Sequence, residues 1–109
     1  MVKKIGLTLV VALIVMQFIP ITKNQGQEWG SADITTVVNT PENIKQMLHT
    51  SCNDCHSNNT NYPWYSTIQP VAWFLNRHIV EGKEELNFDE FGNYSKRRQQ
   101  SKLKSIASQ

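Results

Sequence analysis

The sequence predicts an all-α fold, on three observations. Ile44, Met47 and Leu48 repeat at i, i+3 and i+4. Val71, Phe74, Leu75, His78 and Ile79 repeat at i, i+3, i+4, i+7 and i+8. Both stripes follow the period of a helix that buries one face. The third observation is Cys52-Asn53-Asp54-Cys55-His56. Its two cysteines and its histidine also fall at i, i+3 and i+4, so one helical turn aims all three at the same ligand.

A chain of 109 residues holds one small domain. The formal net charge of +2 comes from Lys3 and Lys4, and from Ile21 onward nine basic residues balance nine acidic ones. That balance excludes a nucleic-acid binder, which needs a basic face across its domain. The two cysteines both lie inside one motif, which excludes a framework of dispersed disulfides. A domain this small buries a modest core and needs a staple.

Residues 1–21 read as a targeting segment, either a cleaved signal peptide or a retained membrane anchor. Lys3 and Lys4 open it, an apolar run from Ile5 to Ile19 follows, and Pro20 closes it. The run falls between a signal h-region of about 7–15 residues and a spanning helix of about 17–25. No small-x-small cleavage site follows, so a retained anchor is the expectation, with the lysines cytoplasmic and the domain outside. Residues 22–39 read as a polar linker with Trp29 as its only large apolar group. The domain is expected over 40–109.

Thr40-Pro41-Glu42 reads as a helix start, with a capping hydroxyl, proline at the first helical position and an acid in the first turn. The helix runs into Cys52, with Met47 packing in the core and His49 on the surface. Residues 57–63, Ser-Asn-Asn-Thr-Asn-Tyr-Pro, form a loop. A second helix opens at Pro70 and stops at Gly82, which puts His78 within its apolar stripe. Residues 84–94 make a turn and a short helical piece ending near Gly92. Ser95 caps a last helix through Ala107, weakly anchored by Leu103, Ile106 and Ala107. Its basic run of Lys96, Arg97, Arg98, Lys102 and Lys104 is expected to be a solvated face, with docking to an acidic partner or to lipid head groups as the alternative.

C-x-x-C-H is the attachment pattern of c-type haem. Two thiols bond the haem vinyl groups, and the adjacent imidazole of His56 ligates the iron. The fold expected is therefore a small cytochrome c-like helical domain packed round a covalent haem. Trp64, Tyr65, Trp73 and Phe74 are candidates for the pocket wall. His78 is the candidate for the distal iron ligand, and Arg77 is either solvated or beside the haem propionates. The imidazole N–H of His56 is expected to find a main-chain carbonyl.

Cys-x-x-Cys-His-Ser-Asn-x-Thr-x-Tyr-Pro-Trp-Tyr-Ser, then Gln-Pro-Val-Ala-Trp, His78-Ile-Val-Glu-Gly and Leu86-Asn87-Phe88, resembles the haem-binding domain family of exported bacterial proteins, common in Bacteroidetes-like organisms. The resemblance spans about residues 44–98, and the Gln17 to Pro20 stretch is similar too. It implies a mostly helical domain, covalent haem c on Cys52 and Cys55, and His56 as proximal ligand. Family members usually continue with a Met-Pro element and a further Tyr and His, beyond Gln109. The second ligand then follows one of three expectations: a truncated member, another residue such as His78, or an open iron position.

The functional expectation is single-haem electron transfer on the periplasmic side of the inner membrane, with a redox partner, contact with the membrane through the N-terminal segment, and no enzymatic activity. Two alternatives stand beside it. One is a haem-based sensor or small peroxidase with an open distal site. The other is a site without haem, with zinc on Cys52, Cys55, His56 and one more histidine, or a redox pair of Cys52 and Cys55.

Overall fold

A computed structural model describes residues 1–27 and 30–109 of the chain. Trp29 lies outside the described residues. Among those described there are six α-helices, two 3₁₀ turns and no strand, so the fold is all-helical as its periodicities predict. The helices are α1 (Val2–Met16), α2 (Ile34–Val37), α3 (Glu42–Ser51), α4 (Asn53–His56), α5 (Val71–Glu85) and α6 (Lys96–Ala107). The 3₁₀ turns are Trp64–Thr67 and Phe88–Asn93.

The N-terminal segment corrects the expected anchor. No described helix is long and apolar enough to cross a membrane. Helix α1 has 15 residues. At about 1.5 Å per residue it falls short of a hydrocarbon layer of about 30 Å. None of its residues is buried. Its last turn is nevertheless fastened to the rest of the protein. The Gln17 side-chain amide donates to the Gln69 carbonyl at 3.2 Å, and its Oε1 accepts from the Gln69 N–H at 3.0 Å. The buried Gln69 side chain donates in turn to the Ile19 carbonyl and accepts from the N–H of Trp73, capping the start of α5.

The stretch expected as linker is built into the domain. Asp33 caps α2, its Oδ1 accepting from the Thr35 N–H at 2.8 Å. Capping places Ile34 in the core with Leu86, Phe88 and Phe91. Val37, Val38, Leu48, Tyr94 and Ile106 pack round this cluster. Gly92 is needed there, because a Cβ on it would lie 2.9 Å from both the Ala32 Cα and the Val37 Cγ2.

Helix α3 starts as expected but is capped differently. Pro41 is the N-cap, and the Thr40 hydroxyl donates to the Val38 carbonyl instead. Only Leu48 of its apolar stripe reaches the core. Met47 is 60% exposed, which corrects its expected core role. His49 is exposed.

Helix α5 departs from expectation twice. It passes through Gly82 and ends at Glu85. Its buried residues are Ala72 and Ile79, so the core face is turned by about one position from the predicted stripe. Val71, Phe74 and His78 lie together on the neighbouring face, and all three are exposed. His78 is thus not a core histidine.

Helix α6 is capped by the Ser95 side chain, which accepts from the Arg98 N–H. It is held more firmly than its few apolar residues imply. The buried Gln99 amide donates to the main-chain carbonyls of Tyr94 at 3.0 Å and Phe91 at 3.2 Å. Part of its basic run is engaged internally. The Arg98 guanidinium lies 4.0 Å over the Tyr94 ring, and Lys102 pairs with Glu85 at 3.0 Å.

Candidate functional site

Cys52 ends α3 and His56 ends α4, so the three motif side chains leave one turn of chain. Both cysteines are free thiols, and both are half-buried, as is His56. Burial pushes the Cys55 thiol above its ordinary pKa, and the neighbouring Asp54 and Cys52 add to the effect. A raised pKa keeps this sulfur protonated at neutral pH.

The imidazole of His56 is fixed from behind. Its Nδ1 lies 2.9 Å from the Leu86 carbonyl oxygen. A carbonyl only accepts, so Nδ1 is the donor here, and in the neutral ring the lone pair lies on Nε2. The buried Phe88 ring stacks on the imidazole, with centroids 5.7 Å apart and planes at 27°.

Leu86-Asn87-Phe88 is therefore the support of the histidine, and Asn87 explains how that support holds its shape. Its main-chain N–H donates to the Tyr94 hydroxyl at 2.9 Å. Its side-chain oxygen accepts from the Asp89 N–H, and its amide donates to Asn58 Oδ1 at 2.8 Å. The N–H of Asn58 donates to Asp89 at 2.6 Å. The loop after the motif and the turn bearing Leu86 are locked together.

Helix α5 meets the motif at Gly82. A Cβ there would lie 2.7 Å from the Cys55 carbonyl oxygen and 3.4 Å from the Cys55 Cβ. Residues 82, 78, 74 and 71 share one helix face. The exposed, largely apolar row of Val71, Phe74 and His78 thus begins where α5 touches Cys55. His78 Nδ1 is 2.8 Å from the Phe74 carbonyl oxygen, so Nδ1 is the donor here too, and in the neutral ring the lone pair lies on Nε2.

The aromatic candidates separate. Trp64 and Tyr65 are exposed and meet edge to face on the turn that packs against α5. Phe74 belongs to the row just described. Trp73 lines an apolar cleft with Met16, Ile19, Gln69 and Pro70, and its ring packs tilted against that of Phe74, with centroids 5.4 Å apart. Arg77 pairs with Glu81 at 2.8 Å on the surface.

Sequence reasoning missed Asn24 and Asn58, which tie the loop after the motif to its surroundings. It also read Gly82 as a helix stop. The asparagine density of residues 58–61 was the available signal, because asparagine amides fasten irregular chain.

Cys52, Cys55 and His56 thus leave one turn of chain, with the His56 ring oriented by the Leu86 carbonyl and Gly82 of α5 packed on Cys55. The chain matches the family model described as haem-binding domain over residues 11–109, and it belongs to that family. Haem is accordingly its cofactor. No curated protein matches the chain, and no solved structure does.

Proposed function

We propose that this protein carries one covalently attached c-type haem and transfers electrons outside the cytoplasm, in the periplasm. The observation that carries the reading is the His56–Leu86 hydrogen bond on the same turn as two free thiols. It leaves Nε2 as the ligating atom and prevents the ring from turning. When bound, the haem supplies an iron that cycles between two oxidation states. Cys52 and Cys55 would hold such a haem as thioethers, each S–H added across a vinyl C=C with nothing lost. Phe88 and Leu86 exclude water from the rear of His56, and the turn at Asn87 holds both in place. His78 would be the second residue to hold the iron, since it shares a helix face with Gly82, which packs on Cys55. Export fits the apolar segment that follows Lys3 and Lys4.

The alternatives without haem are less well supported. Among the described residues no group of three or more His, Cys, Asp and Glu side chains is gathered to hold a metal ion, so zinc lacks its ligand set. A thioredoxin-like dithiol sits beside a strand-and-helix framework, and the described residues form no strand.

The test is intact mass and in-gel haem staining of the full chain, produced in a host that matures cytochrome c. The expected result is a mass exceeding the polypeptide by one haem, with a stained band after denaturation. A polypeptide of unmodified mass overturns the proposal.

A further inference from the structure

The loop after the motif is held from two sides, and the second side is the N-terminal stretch. Asn24 makes five hydrogen bonds there. Its amide nitrogen donates to the Ser57 carbonyl at 2.9 Å and to Thr60 Oγ1 at 2.8 Å. Its side-chain oxygen accepts from Lys83 Nζ on α5 at 2.7 Å. Its main-chain N–H donates to the Tyr62 hydroxyl, and its carbonyl accepts from the Thr60 N–H. Two residues on, the Gly26 N–H donates to the Asn58 carbonyl at 2.7 Å. Thr60 passes the restraint into the motif, because its hydroxyl donates to the Asp54 carbonyl at 2.6 Å. Thr60 and Ser57 are both buried.

The consequence concerns His56. Ser57 is its neighbour in the chain, and Asp54 lies between the two cysteines. Asn24 grips one and, through Thr60, the other. Resting on the reading above, we infer that Asn24 is a positioning residue of the haem-attachment turn. It fixes Cys55 and His56 relative to α5, and residues 17–26 form a strap that the working protein retains. Gln17 fastens one end of the strap to Gln69, and Asn24 fastens the other to the motif loop.

Asn24→Asp is the informative variant. A carboxylate still accepts from Lys83, now as an ion pair, so the strap keeps its link to α5. It loses both donors, and an oxygen then faces the Ser57 carbonyl. Gln17→Ala is the control, since it loosens the strap at the end away from the motif. The full-length chain and both variants are matured in the same host. Haem-to-protein ratio, intact mass and the reduced visible spectrum are measured on the folded fraction.

Asn24→Asp is expected to lower the haem-to-protein ratio by about threefold or more and to alter the spectrum of what remains. Gln17→Ala is expected to keep the wild-type ratio and spectrum, with a lower melting temperature. The mature wild-type mass is expected to include residues from Gln17 onward. A wild-type ratio and spectrum in Asn24→Asp overturns the inference. So does an equal loss of haem in Gln17→Ala, which would reduce the effect to general stability, and so does a haem-loaded mature chain beginning after Asn24. Wild-type protein without haem is a separate result, and it removes the underlying functional reading.

Discussion

The Nδ1 of His56 donates to the carbonyl of Leu86, a residue thirty positions further along the chain, at 2.9 Å. The bond gives the histidine one tautomer and one ring orientation, and it makes the Leu86-Asn87-Phe88 turn part of the site. A ring so supported depends on the residue stacked against it.

Phe88→Leu tests that dependence. Phe88 is 2% exposed, and its ring lies over the imidazole. A smaller, differently shaped side chain in a packed core costs about 1–2 kcal/mol. Urea unfolding should show a lower midpoint with an unchanged slope. The haem-loaded variant should also show a shifted reduction potential, because the packing behind the proximal ligand changes. An unmoved potential would detach Phe88 from the function of His56.

Gly82→Ala probes the contact between α5 and the motif. Alanine is the better helix former by about 1 kcal/mol, so an unobstructed helix would gain stability. Here the added Cβ meets a main-chain carbonyl at 2.7 Å, and a main chain does not yield as a flexible side chain does. Overpacking of this kind costs about 1–3 kcal/mol. The variant should melt about 5 °C lower and mature with less haem, because α4 is displaced. A stabilised, fully loaded Gly82→Ala would show that the close approach does not matter.

The same glycine marks where the sequence was legible and where it was not. Helical periods identified α3 and α5, and the capping signals at Ser95 and near Gly92 placed the last two elements closely. The motif residues were readable because their spacing alone brings them together. The core face of α5 was misjudged by one position because Val71 and Phe74 are apolar without being buried, and a period cannot tell a buried apolar stripe from an exposed one. Gly82 was misread because a helix-stopping glycine and a close-approach glycine look identical in sequence. The strap was missed because its links run from Gln17 to a residue 52 positions away and from Asn24 to residues 33 to 59 positions away, and no local pattern announces them. Asp33-Ile34 did carry a signal for α2, a capping acid before an apolar residue.

In the haem-free protein the Cys55 thiol should react slowly. Burial raises the Cys55 pKa, with Asp54 and Cys52 contributing. A raised pKa lowers the thiolate fraction at neutral pH, and only the thiolate is alkylated. In apo protein carrying Cys52→Ala, iodoacetamide should modify Cys55 more slowly than a free model thiol at pH 7. The difference should close as pH rises past the shifted pKa. The pH profile of the alkylation rate checks this, and a midpoint at or below that of the model thiol would refute it.

His78 gives the last prediction. Its Nδ1 proton is donated to the Phe74 carbonyl, and its Nε2 is unencumbered on the exposed row that begins at the Cys55 contact. The same division of roles is found at His56, where a carbonyl takes Nδ1 and Nε2 is left. With two such nitrogens on the iron, the oxidised and reduced protein should give low-spin spectra. The potential should lie below that of a histidine–methionine site. His78→Ala should convert the spectrum to high spin, and the reduced variant should bind carbon monoxide readily where the wild type does not. The substitution should barely affect stability, because the side chain is exposed and buries no polar group. A low-spin His78→Ala spectrum would assign the distal position to another residue. A wild type that binds carbon monoxide at once would instead indicate an open iron and move the protein toward sensing or peroxide chemistry.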